Sequence, residues 1–178
     1  MKKTAMFLLM PMTACLLHAQ PAAAPPSDPL SAGAKGTFGL AKNNILKSAE
    51  KMPEENYAFK PTPDVRSYGQ ILGHIADAQY LFCSAALGET NPAPGIEKSK
   101  TTKADLVKAL NDAFAYCDKA YDGMTDAHAA DMIKFFGREQ AKLSVLAFNN
   151  AHDFEHYGNL VTYLRLKGLV PPSSEQRR

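Results

Sequence analysis

Apolar residues recur every three or four positions in four long segments of this chain, and this spacing constrains the fold more than any other feature. Such a period places the apolar side chains on one face of an α-helix, whereas a half-buried β-strand needs strict alternation. The sequence contains no alternating pattern of useful length and no internal repeat. With 178 residues, of which 46% are hydrophobic, the chain is long enough for one domain with one core. The sequence therefore predicts an all-α protein.

The boundaries of the predicted helices follow from capping residues, glycines and prolines. The clearest case is the second helix, where Ser67 and Gln70 form a capping box and Gly88 ends the helix. Four long helices joined by moderate loops predict a four-helix bundle, with an irregular all-α fold as the alternative. The predicted helices cover approximately residues 30–52, 67–87, 102–121 and 140–167, and residues 132–136 form a segment too short to assign.

The N-terminal residues have the pattern of an export signal. Lys2 and Lys3 precede a short apolar stretch, and cleavage after Ala19 fits the small residue that such signals require. A lipoprotein signal with acylation of Cys15 is the weaker alternative, because two leucines directly follow that cysteine. We therefore expect an exported protein, periplasmic or extracellular. The predicted organisation is a signal peptide over 1–19, a Pro/Ala-rich tether over 20–29, the folded domain over 30–172 and a polar tail over 173–178.

The charge balance excludes one class of partner, and the lengths of the apolar runs exclude a membrane-spanning helix. The chain has 20 basic and 18 acidic residues, and removal of Lys2 and Lys3 with the signal leaves 18 of each. A groove that neutralises many phosphates needs a clear basic excess, so nucleic acid is excluded as a partner. No apolar run reaches the roughly 18 residues typical of a membrane-spanning helix, so no transmembrane helix is expected.

Three histidines fall on predicted helix faces that point towards the core. His152 and His156 are four residues apart, so their rings lie on one side of the last helix, one turn from each other. They share a line with Phe148 and Leu160, which indicates burial. His74 lies among apolar residues on the second helix. Because burial of an unpartnered imidazole is unfavourable, these three side chains need polar partners.

A divalent metal is one partner that serves all three imidazoles. Three neutral histidines with a free fourth position form the usual ligand set of catalytic zinc, and they also suit nickel or iron. The alternative is a hydrogen-bonded cluster without metal, in which Asp77, Asn149 or Asn159 pairs with the rings. Asn149 lies one turn before His152 and is the best candidate for a pocket-lining residue. Asp77 lies three residues after His74 and is a second candidate.

Other polar residues near the histidines allow two interpretations. Asp153 and Glu155 flank the last-helix pair and are candidates to orient the ligands or to act as bases, or they are solvated charges. His128 lies in a polar segment near a turn, where we expect an exposed residue without a site.

Two cysteines remain in the predicted mature chain. Cys83 and Cys117 lie on the second and third predicted helices, which can be neighbours in a bundle. A disulfide and a pair of small buried thiols both fit this placement, and the sequence leaves the two open.

Three segments of the chain together resemble the DinB-like family. They are SYGQILGHI (67–75), HDFEHYGNL (152–160) and YLRLKGLVPP (163–172). The similarity covers nearly the whole predicted mature chain, in order and in spacing. It implies a four-helix bundle of DinB-like type with a divalent metal, of unknown identity, held by His74, His152 and His156. Related bundles often dimerise, so a homodimer is compatible with the resemblance, although no unpaired apolar face in the sequence demands one.

The implied function is that of a metalloenzyme in the cell envelope. Its three-histidine site would serve hydrolysis, nucleophilic addition or transfer on a small molecule that the sequence does not identify. The alternative is a non-catalytic bundle that binds a metal or a ligand. Known family members include transferases and isomerases that use low-molecular-weight thiols. Two features depart from that pattern: Asn159 replaces the common Gln, and an export signal leads to an oxidising compartment, where such thiols are not kept reduced.

Overall fold

The computed structural model describes residues 27–175. The predicted signal peptide, most of the predicted tether and residues 176–178 lie outside the described residues. Over residues 27–175, no helix combines the length and the apolar character needed to cross a membrane.

Four long helices form a bundle, which confirms the predicted all-α class. The other elements of the described residues are a one-turn α-helix, a two-stranded antiparallel hairpin and two 3-10 helices, Glu54–Asn56 and Pro172–Ser174. In chain order the elements are α1 (Pro29–Lys51), α2 (Tyr68–Leu87), α3 (Ile96–Ser99), α4 (Lys103–Asp122), β1 (Met132–Phe135), β2 (Arg138–Ala141) and α5 (Lys142–Leu166).

The capping residues act as the sequence predicts. The backbone N–H of Gln70 donates to Ser67 Oγ at 3.2 Å, and the N–H of Ser67 donates to Gln70 Oε1 at 2.8 Å, which completes the capping box of α2. Gly88 ends that helix with φ of 72°, a left-handed conformation that suits glycine. Thr102 caps α4 by accepting a hydrogen bond from the N–H of Asp105. Local sequence therefore determines where these two helices begin.

The predicted start of the last helix, at about Gln140, was wrong. Gln140 and Ala141 belong to β2, where they pair with Ile133 and Met132 of β1, and α5 begins only at Lys142. Strands of four residues carry too little alternation to stand out in a sequence, so the hairpin was not predicted. It contacts both α2 and α5 and covers the end of the bundle where α5 begins.

The polar tail is ordered as far as the structure describes it. Residues Pro172–Ser174 form a 3-10 turn, and the N–H of Ser173 donates to the hydroxyl of Tyr157 on α5 at 2.9 Å. Glu175 forms an ion pair with Lys51 at the end of α1. Side chains of α1 and α5 therefore contact residues 173–175.

α2 lies at the centre of the fold. It contacts α3, α4 and α5, and 14 of its 20 residues are buried. A single apolar stripe does not describe this environment, since Leu81 is exposed while Leu72 and Ile75 are buried. Phe148 on α5, also predicted to face the core, is 49% exposed. The line of α5 that carries the histidines therefore runs along the edge of the core.

A disulfide bond joins Cys83 of α2 to Cys117 of α4. Both cysteines are fully buried, and they lie 34 positions apart in the chain. Of the two arrangements that the sequence left open, the structure has the disulfide. The bond ties together two adjacent helices of the bundle.

Candidate metal centre

The three predicted histidines meet between α2 and α5. Nε2 of His152 lies 3.1 Å from Nε2 of His74 and 3.1 Å from Nε2 of His156. The possible ligand atoms of all three rings lie within 4.8 Å of one another. The i, i+4 spacing puts two rings on the same side of α5, and the packing of α2 against α5 brings the third ring to them.

The distances between the nitrogen atoms fit a metal ion. Two nitrogens at about 2.0–2.1 Å from a tetrahedral zinc are about 3.3 Å apart, close to the 3.1 Å seen here. Hydrogen bonding explains the arrangement less well. A neutral ring nitrogen is either a donor or an acceptor, whereas Nε2 of His152 lies equally close to Nε2 of His74 and Nε2 of His156. A cation, by contrast, accepts the lone pairs of all three.

The rings are in the protonation state that metal binding requires. Burial lowers the pKa of all three histidines, and for His152 and His156 it falls to about 4. The neighbouring imidazoles His156 and His74 lower the pKa of His152 further. All three are therefore neutral at pH 7, with a lone pair free for a metal.

One of the three histidines lines a cleft. The cleft has a volume of about 660 Å³, and His156 lies on its wall together with Arg66, Glu97, Asn159 and Tyr163. Within residues 27–175, the group contains no fourth histidine, cysteine or carboxylate ligand. A metal held by the three rings would therefore keep a coordination position for water or a substrate.

Glu97 orients one of the rings and was missed by the sequence analysis. Its Oε2 lies 3.2 Å from Nδ1 of His74, and its Oε1 accepts a hydrogen bond from Nε of Arg66 at 2.9 Å. The hydroxyl of Tyr163 in turn donates to the backbone carbonyl of Arg66 at 2.7 Å. A carboxylate on the second ring nitrogen fixes the tautomer and the direction of a metal-binding histidine. No local pattern marks Glu97, because it lies in a segment interpreted as a loop.

Asp77 acts through α3 rather than on the histidines. Its carboxylate accepts hydrogen bonds from the backbone N–H groups of Ile96 at 2.7 Å and Glu97 at 2.9 Å, at the start of that helix. α3 also packs directly on α2 at Gly73, where a Cβ atom would come within 2.7 Å of the Cα of Glu97. Asp77 and Gly73 together fix the position of Glu97 against His74.

Asn149 lies behind the histidines and does not line the cleft. It is fully buried, and its amide nitrogen lies within hydrogen-bond distance of Gln79 Oε1 at 3.0 Å and the hydroxyl of Tyr121 at 3.2 Å. Asp153 joins the same interior network by accepting a hydrogen bond from Gln79 Nε2. Burial raises the pKa of Asp153 well above its usual value, so this residue is not a solvated charge. The network fixes α5 against α2 and α4.

The remaining polar residues divide into cleft and surface groups. Glu155 is exposed and lies on the wall of the cleft. The amide nitrogen of Asn159 lies 3.4 Å from Nδ1 of His156, which makes Asn159 the orienting neighbour of that ring. His128 is exposed and pairs with Asp131 at 3.0 Å, far in sequence from the site and outside the histidine group.

The fold and the site together define a class. A helical bundle whose facing helices project metal-binding side chains into a shared site is a recurrent architecture for metalloproteins. The chain itself belongs to the DinB superfamily, whose family model matches residues 37–160. The matched range contains His74, His152 and His156, so the site lies inside the part of the chain that is common to the family.

Individual relatives extend over most of the chain. The uncharacterized protein YjoA of Bacillus subtilis (strain 168) is 27% identical over 144 residues, which cover 78% of this chain and 92% of that protein. A crystal structure of a DinB-like protein from Bacillus cereus ATCC 10987 has a TM-score of 0.68 at 19% identity, covering 79% of this chain and 95% of its own. The crystal structure of YjoA has a TM-score of 0.66 at 24% identity, with 82% and 99% covered. At these identities the two structures show the fold.

Proposed function

We propose that this protein is an exported, divalent-metal-dependent enzyme that acts on a small molecule by hydrolysis or by nucleophilic addition or transfer. The observation that carries the proposal is the convergence of three neutral imidazoles beside a cleft, without a fourth protein ligand among the described residues. A structural zinc site normally has four protein ligands, whereas a catalytic site has three. The ligand count therefore favours catalysis over a purely structural role.

Each residue of the site has a definable part in this chemistry. A bound divalent metal lowers the pKa of a coordinated water or thiol and polarises a carbonyl group. His74, His152 and His156 would hold it, and Glu97 keeps the ring of His74 in the direction that binding needs. Glu155 is an exposed carboxylate on the cleft wall that can accept a proton from a nucleophile.

Two observations support the exported location. The N-terminal sequence has the pattern of a secretory signal, and Cys83 and Cys117 form a disulfide, which persists mainly outside the reducing cytosol. In that compartment reduced low-molecular-weight thiols are scarce, which favours water as the nucleophile. Mass spectrometry of the protein secreted from its full-length precursor should show a mature chain that begins at Gln20. A chain that retains residues 1–19 in the cytosol would contradict the proposed location.

Metal content tests the ligand assignment. The purified wild-type protein should hold one divalent ion per chain by elemental analysis, and His152→Ala should hold none, because two imidazoles from different helices bind weakly. His128→Ala is the matched control, since that exposed histidine lies outside the group, and it should keep the full metal content. Equal metal content in both variants would show that the triad is not the binding site.

Cobalt substitution tests whether a position is open for chemistry. Co²⁺ in the site gives visible absorption bands that report its coordination. Addition of azide should shift those bands, because azide can occupy the position that the protein leaves free. Bands that do not respond to azide would indicate a closed site and a non-catalytic, metal-binding bundle.

A further inference from the structure

Two phenylalanines form an exposed aromatic surface next to the histidine group. Phe136, at the tip of the hairpin, is 65% exposed, and Phe148 on α5 is 49% exposed. The buried ring of Phe82 lies beneath both, with its centroid 6.4 Å from that of Phe136 and 5.3 Å from that of Phe148. We call the exposed faces of Phe136 and Phe148, with Phe82 beneath them, the aromatic shelf.

The shelf is continuous with the metal-binding rings. The centroid of Phe82 lies 5.8 Å from that of His152, so the shelf and the site share a packed ring. Phe148 precedes His152 by four residues, which places it on the same side of α5 and about 6 Å along the helix axis. A molecule bound to the metal can therefore extend onto the shelf, while its other end enters the cleft near His156.

The backbone conformation at Phe136 shows that stability alone does not favour phenylalanine at this turn. Phe136 and Gly137 form the two-residue turn of the hairpin, with φ of 47° and 75°. Positive φ at both positions is typical of a type I′ turn, for which Asn-Gly is the preferred sequence. A bulky residue in this conformation is strained by about 1–2 kcal/mol. Strain and solvent exposure both disfavour phenylalanine here, and such outliers cluster at ligand sites.

We propose that the aromatic shelf binds an apolar group, most simply an aryl ring, of the same small molecule whose polar group occupies the metal site. The inference rests on the proposed function, since the metal anchors the molecule. It assigns the substrate to amphipathic compounds that carry an aryl ring beside the metal-binding group. A stacked or edge-to-face contact with Phe148 would then select among substrates.

The size of the shelf favours a small molecule over a second copy of the chain. A phenylalanine side chain offers about 200 Å² in total, so two partly exposed rings present on the order of 200 Å². A stable protein interface needs about 800 Å² from each partner. The shelf is therefore far too small for a dimer interface, whereas one aryl ring covers it.

Two inhibitors that differ only in a phenyl group test the inference. Acetohydroxamate and phenylacetohydroxamate present the same metal-binding group, and their dissociation constants can be measured from the spectrum of the Co²⁺-loaded protein. We expect phenylacetohydroxamate to bind at least about tenfold more tightly, which corresponds to roughly 1.4 kcal/mol of aromatic contact. Equal affinities would overturn the proposal that the shelf binds an aryl group, and they would leave the proposed metal site intact. If neither compound changes the spectrum, the metal has no open coordination position, and the proposal for the shelf is overturned as well.

Three variants test which side chains contact the phenyl group. Phe148→Ala should reduce the ratio of the two dissociation constants towards one. Phe136→Asn should also reduce it while raising the melting temperature, because asparagine suits the turn. Phe154→Ala is the matched control: that phenylalanine is 37% exposed on α5 but lies on the wall of a different cavity, beside Tyr157, so it should keep the full ratio.

Two results would contradict the assignment. An equal loss of the ratio in Phe154→Ala and Phe148→Ala would show that the phenyl group binds elsewhere. A concentration-dependent dimer that Phe136→Asn dissociates would show that a second copy covers the shelf.

Discussion

A single methyl group at Gly73 should displace the helix that orients the metal site. A Cβ at this position would lie 2.7 Å from the Cα and 3.1 Å from the backbone nitrogen of Glu97. Ordinary contacts begin at 3.4 Å, so the backbone of α3 must move away from α2 by about 0.7 Å. Both neighbours are backbone atoms, so no flexible side chain can absorb the overlap.

Gly73→Ala should therefore change stability and metal binding together. Overpacking costs about 1–3 kcal/mol, and the better helix propensity of alanine offsets about 1 kcal/mol of this. The net loss of up to about 2 kcal/mol lowers the melting temperature by up to about 8 °C. A shift of this size also breaks the 3.2 Å contact between Glu97 and His74, since hydrogen bonds are lost beyond about 3.5 Å. Loss of such an orienting carboxylate weakens metal binding by about 10- to 100-fold.

Calorimetry and chelator competition measure the two effects. Gly36→Ala is the matched control, because Gly36 lies in α1 with no atom within 4 Å of the added Cβ. It should leave metal affinity unchanged and stabilise the protein by up to about 1 kcal/mol. The reasoning is refuted if Gly73→Ala binds metal as tightly as the wild type and melts at the same or a higher temperature.

Three further predictions concern the same structure. Glu97→Gln should weaken metal binding by about 10- to 100-fold while the helical circular dichroism stays constant, and unchanged chelator competition would exclude an orienting role. Replacing both Cys83 and Cys117 with serine should lower the free energy of unfolding in urea by about 3.8 kcal/mol, because the disulfide closes a 34-residue loop and so restricts the unfolded chain. An unchanged urea midpoint would contradict this prediction. In the metal-free protein, His152 and His156 have a pKa of about 4, below the value near 6.5 in the unfolded chain, so the unfolded state binds more protons between these values. The part of the stability that depends on these rings should therefore be constant above pH 6.5 and fall towards pH 4. The difference between the urea profiles of the wild type and His152→Ala isolates it, and a difference that does not change with pH would show that the rings are not buried.

The sequence predicts those features that depend on neighbouring residues. Ser67 and Gln70 form the expected capping box because both partners lie within one helical turn. The spacing of His152 and His156 likewise places two rings together without any tertiary contact. Apolar periodicity then gives the helical class.

Tertiary contacts explain what the sequence could not predict. α3 is a single turn whose first N–H groups are held by Asp77, about 20 residues earlier in the chain, so its own sequence carries no signal. Glu97 reaches His74 only through that packing. Asn149 is the predicted pocket-lining residue, but its amide contacts the buried side chains of Gln79 and Tyr121, which lie on other helices.

Amphipathic periodicity also fails at the edge of the core. Phe148 fits the apolar line of α5, yet it is half exposed, because the histidines after it lie at the edge of the core rather than in its centre. Phe136 shows the same disagreement at a turn, where local rules favour asparagine. Both departures from the sequence rules lie on the aromatic shelf beside the metal centre.

The location of the bound metal tests most directly whether the three histidines are its ligands. Crystals of the protein purified without chelators, measured at the absorption edge of the metal found by elemental analysis, would give its position by anomalous scattering. We expect one peak per chain at about 2.0–2.2 Å from Nε2 of His74, His152 and His156, with a non-protein ligand facing the cleft. A full-occupancy ion bound elsewhere, or no ion between these three nitrogens in metal-saturated crystals, would contradict the central claim.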